Sequence, residues 1–258
     1  MRRPREVAAS DLLTAEVVER IVALADGPDV RAITIVGSAA RGDATAWSDI
    51  DVDRHVADGT EITPTRAALL DDRLVMISTR AVGAVRGELQ QPERAIWAVP
   101  ALRDMRVLVD RDGTAEALKR AAGEFSWDAL GDAARRYAAR ELAMMAEYVY
   151  KIRAALDRRD ESAALHAGGA LIGRCTRALA TARGVLIRTE NEYYRRVQEA
   201  AGDEWTRLHR AAFGLAGGDA FEQATAAGRL YAQTARLLAS TLDTESREIV
   251  DRAVAIVP

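Results

Sequence analysis

The sequence predicts an α+β protein: a mixed β-sheet with flanking helices, followed by an all-α helical bundle. Three observations carry this. β-branched runs such as 30–36 and 73–79 alternate with helical periodicity over the first 125 residues. Beyond about Phe125 those runs nearly vanish. From there Ala, Leu, Arg and Glu dominate and the helical period continues almost to the end. The chain is therefore expected to divide into residues 1–125 and residues 126–258.

Residues 14–25 are amphipathic, with Val17, Val18, Ile21, Val22 and Leu24 as the apolar stripe, and Gly27-Pro28 stops them. A strand follows over 30–36. Residues 37–43 form a turn leading into a short helix or loop, and a second strand runs over 50–56. Asp58-Gly59 signals a turn. Residues 64–70 are expected as a short helix and 73–79 as a third strand. Residues 92–102 read as helix, 105–109 as a fourth strand closed by the Asp110-Arg111-Asp112-Gly113 turn, and 114–123 as helix. In the second half, 127–157 is one long Ala-rich segment, with later breaks at 157–160, Gly184, Gly202 and 214–218. There is no internal repeat and no Pro-rich linker.

Hydrophobic residues make up 49% of the 258 and charged residues 29%, the balance of an ordinary soluble globular protein. The net charge of -3, with both signs interspersed, leaves no basic footprint for a nucleic-acid partner. Cys175 is alone, which excludes an internal disulfide framework and a thiolate zinc cluster. His55, His166 and His209 are widely spaced and make a poor zinc set. No apolar h-region follows the basic start Met1-Arg2-Arg3-Pro4-Arg5, and no window approaches the roughly 20 apolar residues needed to cross a bilayer. The expectation is a cytoplasmic protein with no membrane partner.

The chemistry concentrates between Ile33 and Val52. An apolar run ends in Val36-Gly37-Ser38, a polar loop carries Arg41, and Ser48-Asp49-Ile50-Asp51-Val52 resumes a strand pattern. Alternate strand side chains share a face, so Asp49 and Asp51 project together and Asp53 continues the same face. Neighbouring carboxylates repel, and a hard cation satisfies both; Mg²⁺ would keep positions for waters and substrate phosphates. This suggests metal-assisted phosphoryl or nucleotidyl transfer.

A strand ending in Gly-Ser, followed about ten residues later by Asp-x-Asp on a second strand, resembles the nucleotidyltransferase superfamily that includes DNA polymerase β. The resemblance implies a nucleotidyltransferase-type sheet, Mg²⁺ as cofactor and a nucleoside triphosphate, ATP, as substrate. It implies nucleotide-binding roles for Gly37, Ser38, Arg41 and Ser48. Gly37 lets the backbone approach a phosphate, the Ser38 hydroxyl bonds it, and Arg41 offers a forked donor. Asp49 and Asp51 would be catalytic carboxylates that hold the metal. The superfamily adds a third acid on a neighbouring strand, yet 73–79 carries none. Asp53, Asp104, Glu88, Glu141 and Glu147 are the substitutes; Asp53 is taken as a further metal ligand and Glu141 as the catalytic general base.

Residues 163–184 and 190–194 are similar in pattern to the C-terminal bundle of antibiotic nucleotidyltransferases, which adenylylate aminoglycosides or lincosamides. That similarity implies transfer of AMP to a small-molecule hydroxyl, with 126–258 as the acceptor-binding domain. Glu190 and Glu192 beside Tyr193 and Tyr194 read equally as an acceptor pocket or as a capped helix start. Tyr148, Tyr150, Trp205 and Phe213 are expected as core or bundle contacts rather than base-stacking platforms, and His166 as a packing histidine. A homodimer is compatible with the sequence. The rival reading, fed by the missing acid, is a nucleotide-binding or protein-AMPylating antitoxin or regulatory module that has lost catalysis.

Overall fold

The computed structural model describes residues 13–258. The basic Met1-Arg2-Arg3-Pro4-Arg5 start lies outside the described residues. The chain forms two compact units that meet in sequence between Ser126 and Trp127.

In the first unit, α1 (Ala15–Ala25) starts at Thr14, whose hydroxyl accepts from the Val17 N–H. Then come β1 (Val30–Val36), the short α2 (Gly37–Arg41), β2 (Ile50–Val56), β3 (Arg66–Leu70) and β4 (Arg73–Ala81). Helices α3 (Val82–Glu88) and α4 (Pro92–Asp104), strand β5 (Arg106–Asp110) and helix α5 (Thr114–Gly123) complete it. The strand order is β3-β4-β2-β1-β5; β2 and β4 are parallel and every other pair is antiparallel, so the sheet is mixed as expected.

The parallel pair exists because β3 takes the return path. It lies outside β4 and reverses through Asp71 and Asp72, both at positive φ (50° and 62°), with Leu70 paired to Arg73. Two left-handed residues in a two-residue loop match the right-handed twist of a hairpin. Strand β3 corrects the helix expected over 64–70. Its Ala-Ala-Leu-Leu run favours helix locally, but pairing along β4 overrides that preference.

Alternation decides which residues reach which face of the sheet. Ile33 and Ile35 of β1, Ile50, Val52 and Val56 of β2, and Val75 and Ile77 of β4 pack with Ile21 and Ala25 of α1 and Ala39 of α2. On the opposite face, Ala32 packs with Val85 of α3, Leu102 of α4, Met105, and Leu118 of α5. Because the first face takes the apolar residues of β2, Asp51, Asp53 and His55 stand on the second.

The second unit is all helical: α6 (Gly131–Arg158), α7 (Glu161–Ala182), α8 (Glu190–Ala201), α9 (Asp203–Ala212), α10 (Ala220–Leu237) and α11 (Thr244–Ala255). The expected break at 157–160 is a left-handed Arg159 followed by Asp160, whose carboxylate accepts from the Ala163 N–H to start α7. Helix α10 opens with a reciprocal cap between Asp219 and Glu222. Trp205 and Tyr231 are fully buried and satisfied: the indole N–H donates to Thr234 Oγ1 at 2.9 Å and the Tyr231 hydroxyl to the Leu142 carbonyl at 3.1 Å. Tyr150 is exposed, and Phe213, though partly exposed, makes ring contacts with Tyr194 and His209 within the helical unit. His166 is exposed on α7, whereas His209 is the histidine that packs. No helix among the described residues is long and apolar enough to cross a membrane.

Candidate functional site

Strand β1 ends at Val36, which pairs with Asp51 of β2, and the chain turns at Gly37 with φ +71°. A Cβ at Gly37 would stand 2.9 Å from Asp51 Oδ2, so only glycine fits both the backbone and the carboxylate beside it. Helix α2 begins here, and Val36 before it offers no side-chain cap. Ser38 is half-buried, and its hydroxyl makes no hydrogen bond among the described residues. Its carbonyl accepts from the N–H groups of Gly42 (3.0 Å) and Asp43 (3.2 Å), which closes the helix. Asp49 is half-buried immediately before β2.

Two of the expected nucleotide contacts, Arg41 and Ser48, make hydrogen bonds within the loop. The Arg41 side chain is only 7% exposed, and its Nε donates to Asp43 Oδ2 at 3.0 Å, so it fastens the loop from within. Ser48 Oγ accepts from the Thr45 N–H at 2.9 Å and lies 3.2 Å from Thr45 Oγ1. The Ser48 N–H returns to the Thr45 carbonyl at 3.1 Å. The hydroxyl of Ser48 therefore builds a turn that delivers Asp49 to the strand.

The register shows what β4 places beside the carboxylates. On β4, Met76 sits beside Asp51, Ser78 beside Asp53 and Arg80 beside His55. Asp53, the expected further metal ligand, lies in this register. It is buried and accepts from Arg80 Nη1 at 3.0 Å, while Arg80 Nη2 pairs with Glu88 of α3. Burial works to lower the Arg80 pKa, but Asp53 and Glu88 together hold it above its ordinary value. One Asp53 oxygen thus carries a guanidinium partner, and Glu88 shares the same guanidinium. Asp104 ends α4 and has a partner of its own. Among the described residues no group of three or more His, Cys, Asp or Glu gathers to hold a metal.

The remaining candidates lie in the helical unit. Glu141 is half-buried on α6. Glu147 is exposed on the same helix, and its hydrogen bond from Lys151 holds its carboxyl below the usual range. Thr189 caps α8, and Glu192 pairs with Arg195, so the 190–194 segment is the capped helix start. Tyr193 and Tyr194 stack at 5.3 Å, and Tyr194 meets His209 and Phe213 at 5.1 Å each.

The sequence reading missed the Asp53–Arg80–Glu88 cluster and a second polar group beside it. His55 is fully buried with Nε2 3.0 Å from Thr34 Oγ1, and burial pushes its pKa down. Asp110 flanks Ala32 on the side opposite His55. The alternation that placed Asp51 and Asp53 on one face also placed His55 there, so that signal was present.

No protein-family model and no curated protein matches the chain. Among solved structures it resembles a nucleotidyltransferase-like protein from Exiguobacterium sibiricum, with 13% identity over 93% of this chain and 76% of that one. The TM-score is 0.49, a likeness of chain path too loose to speak for an activity.

Proposed function

We propose that the protein is a Mg²⁺-dependent nucleotidyltransferase that moves AMP from ATP to a hydroxyl of a small molecule such as an aminoglycoside-type antibiotic. The observation that carries the reading is the Asp51 carboxylate seated against Gly37, at the point where β1 turns into α2, with Asp49 two residues before it. Asp49, Asp51 and the Ser38 hydroxyl are all oxygen donors, and residues 37–51 hold no His or Cys, a donor set that suits a hard divalent cation. Two protein carboxylates fit Mg²⁺ well, because that ion usually takes its other ligands from phosphate and water.

Asp49 and Asp51 would hold the ion. When bound, Mg²⁺ supplies charge neutralisation along the triphosphate and polarises the α-phosphorus. Gly37 lets the backbone come close to the phosphates, and the Ser38 hydroxyl donates to one of their oxygens. The acceptor oxygen forms the new bond to the α-phosphorus while the bond to pyrophosphate breaks. The hydroxyl proton passes to a carboxylate, for which Glu141 is our candidate.

One observation favours a second reading, a nucleotide-binding or protein-AMPylating regulatory module. Met76, not an acid, sits beside Asp51, and Asp53 is tied to Arg80. A single experiment separates the two. The protein is incubated with α-labelled ATP, Mg²⁺, aminoglycosides, lincosamides and candidate proteins, alongside the Asp49→Asn, Asp51→Asn double variant. Label on a small molecule, lost in the variant, supports transfer to an antibiotic-like acceptor. Label on protein supports AMPylation. Mg·ATP binding without label on either supports the binding module. Transfer or Mg·ATP binding that survives in the double variant sinks both.

A further inference from the structure

The loop between α2 and β2 holds a feature that the phosphate and metal contacts leave unused. Trp47 is 82% exposed, the most exposed of the large hydrophobic side chains among the described residues. Isolated exposed apolar residues are common on protein surfaces and mean little alone. This one differs in how it is held. Ala44 before it and Ile50 after it are both buried in the same core. Between them, Trp47 N–H donates to Thr45 Oγ1 at 3.2 Å, Ser48 ties back to Thr45 twice, and Arg73 Nη1 reaches the Thr45 carbonyl at 3.4 Å. The backbone under the indole is thus fixed while the ring is left in water. A large aromatic forgoes substantial burial in that position.

Its place in the chain narrows the use. Trp47 is two residues from Asp49, at most about 7 Å along the backbone. In a nucleoside triphosphate the base is joined to the phosphates through one ribose, so a nucleotide held at Asp49 and Asp51 carries its base within reach of this loop. We propose that the Trp47 indole is the stacking platform for the base of the nucleotide, a contact that rests on the nucleotide reading given above. Stacking recognises a flat π face and not a hydrogen-bonding edge. Affinity then follows ring area, purines above pyrimidines, with little distinction between adenine and guanine.

The test uses the full chain and calorimetric titration with Mg·ATP, Mg·GTP, Mg·CTP and Mg·tripolyphosphate, the last having phosphates but no base. Trp47→Ala should weaken Mg·ATP and Mg·GTP about 10- to 100-fold, the range of one lost base–aromatic stack. Trp47→Phe should recover most of that. Tripolyphosphate should bind all three proteins alike. In the wild type, Mg·ATP should also protect the acrylamide-quenchable fluorescence, because Trp205 is fully buried and Trp97 and Trp127 are half-buried. Unchanged Mg·ATP affinity in Trp47→Ala overturns the proposal, as does an equal loss for tripolyphosphate, which would make the residue a loop support. Failure of the wild type to bind Mg·ATP at all overturns the nucleotide reading itself and this proposal with it.

Discussion

Replacing Gly37 by alanine separates two demands that the site makes on one residue. The first is backbone conformation. At φ +71° a Cβ costs about 1–2 kcal/mol. The second is space, because the new methyl would lie 2.9 Å from Asp51 Oδ2, where ordinary contact begins at 3.4 Å. The carboxylate must move, and with it the geometry at β2. Gly42, five residues on, supplies the control. Its φ is +80° and a Cβ there meets nothing within 4 Å, so Gly42→Ala carries the backbone cost alone. Urea denaturation should show Gly42→Ala destabilising by about 1 kcal/mol and Gly37→Ala by about 2–3 kcal/mol. Adding Asp51→Ala to Gly37→Ala should recover the difference, a coupling of about 1 kcal/mol between residues in contact. Gly37→Ala should also weaken Mg·ATP binding where Gly42→Ala does not. Equal costs for the two glycines, or strict additivity with Asp51→Ala, would show that the carboxylate does not lie against Gly37.

Two further predictions concern buried charge. Arg80→Ala leaves Asp53 and Glu88 without their shared cation, and should destabilise the protein by about 3–5 kcal/mol in urea melts. Adding Asp53→Asn to that variant should restore part of the loss, and the absence of any recovery would refute the pairing. His209 is 1% exposed, and burial pushes its pKa down to about 4. Its neutral ring fits a chain in which Gln198 contacts Nδ1 at 3.0 Å and Thr176 Oγ1 contacts Nε2 at 3.4 Å. The unfolded chain takes up a proton near pH 6.5, which the folded ring refuses until about pH 4. The stabilising contribution is therefore complete above pH 6.5 and is lost as pH falls toward 4, by about 3 kcal/mol in all. His209→Gln should flatten the stability–pH slope in that window, measured by melts across the range; an unchanged slope would assign the effect elsewhere.

Legibility in the sequence followed the range of the interactions. Strands β1 and β2 were readable because β-branched alternation is local and a two-sided sheet enforces it. Helix α3 was not. Its Val-Gly-Ala-Val-Arg-Gly start has no local cap, and the Gly83 N–H is satisfied by Asp58 Oδ1 at 2.7 Å, from far earlier in the chain. At the site, the apposition of Gly37 and Asp51 could be expected from the motif, because both residue types are demanded by the geometry itself. The duties of Arg41, Ser48 and Asp53 could not. Each side chain could serve a ligand, a neighbour or both, and the contacts to Asp43, Thr45 and Arg80 come from the fold rather than the motif.

The position of β1 bears on the order in which the protein is built. Ala32 pairs with His55 on one side and with Asp110 on the other. The first partner leaves the ribosome soon after β1 and the second only after four more elements. Short loops close at lower entropic cost and faster than long ones, so the β1–β2 hairpin, with Gly37 and the carboxylates between and on its arms, can form as a local unit. Until β5 arrives, the outer edge of β1 presents unpaired N–H and C=O groups. Slow synthesis or truncation before residue 110 would thus leave the loop of the site assembled on an open, adhesive sheet, and aggregation is the failure expected of such fragments.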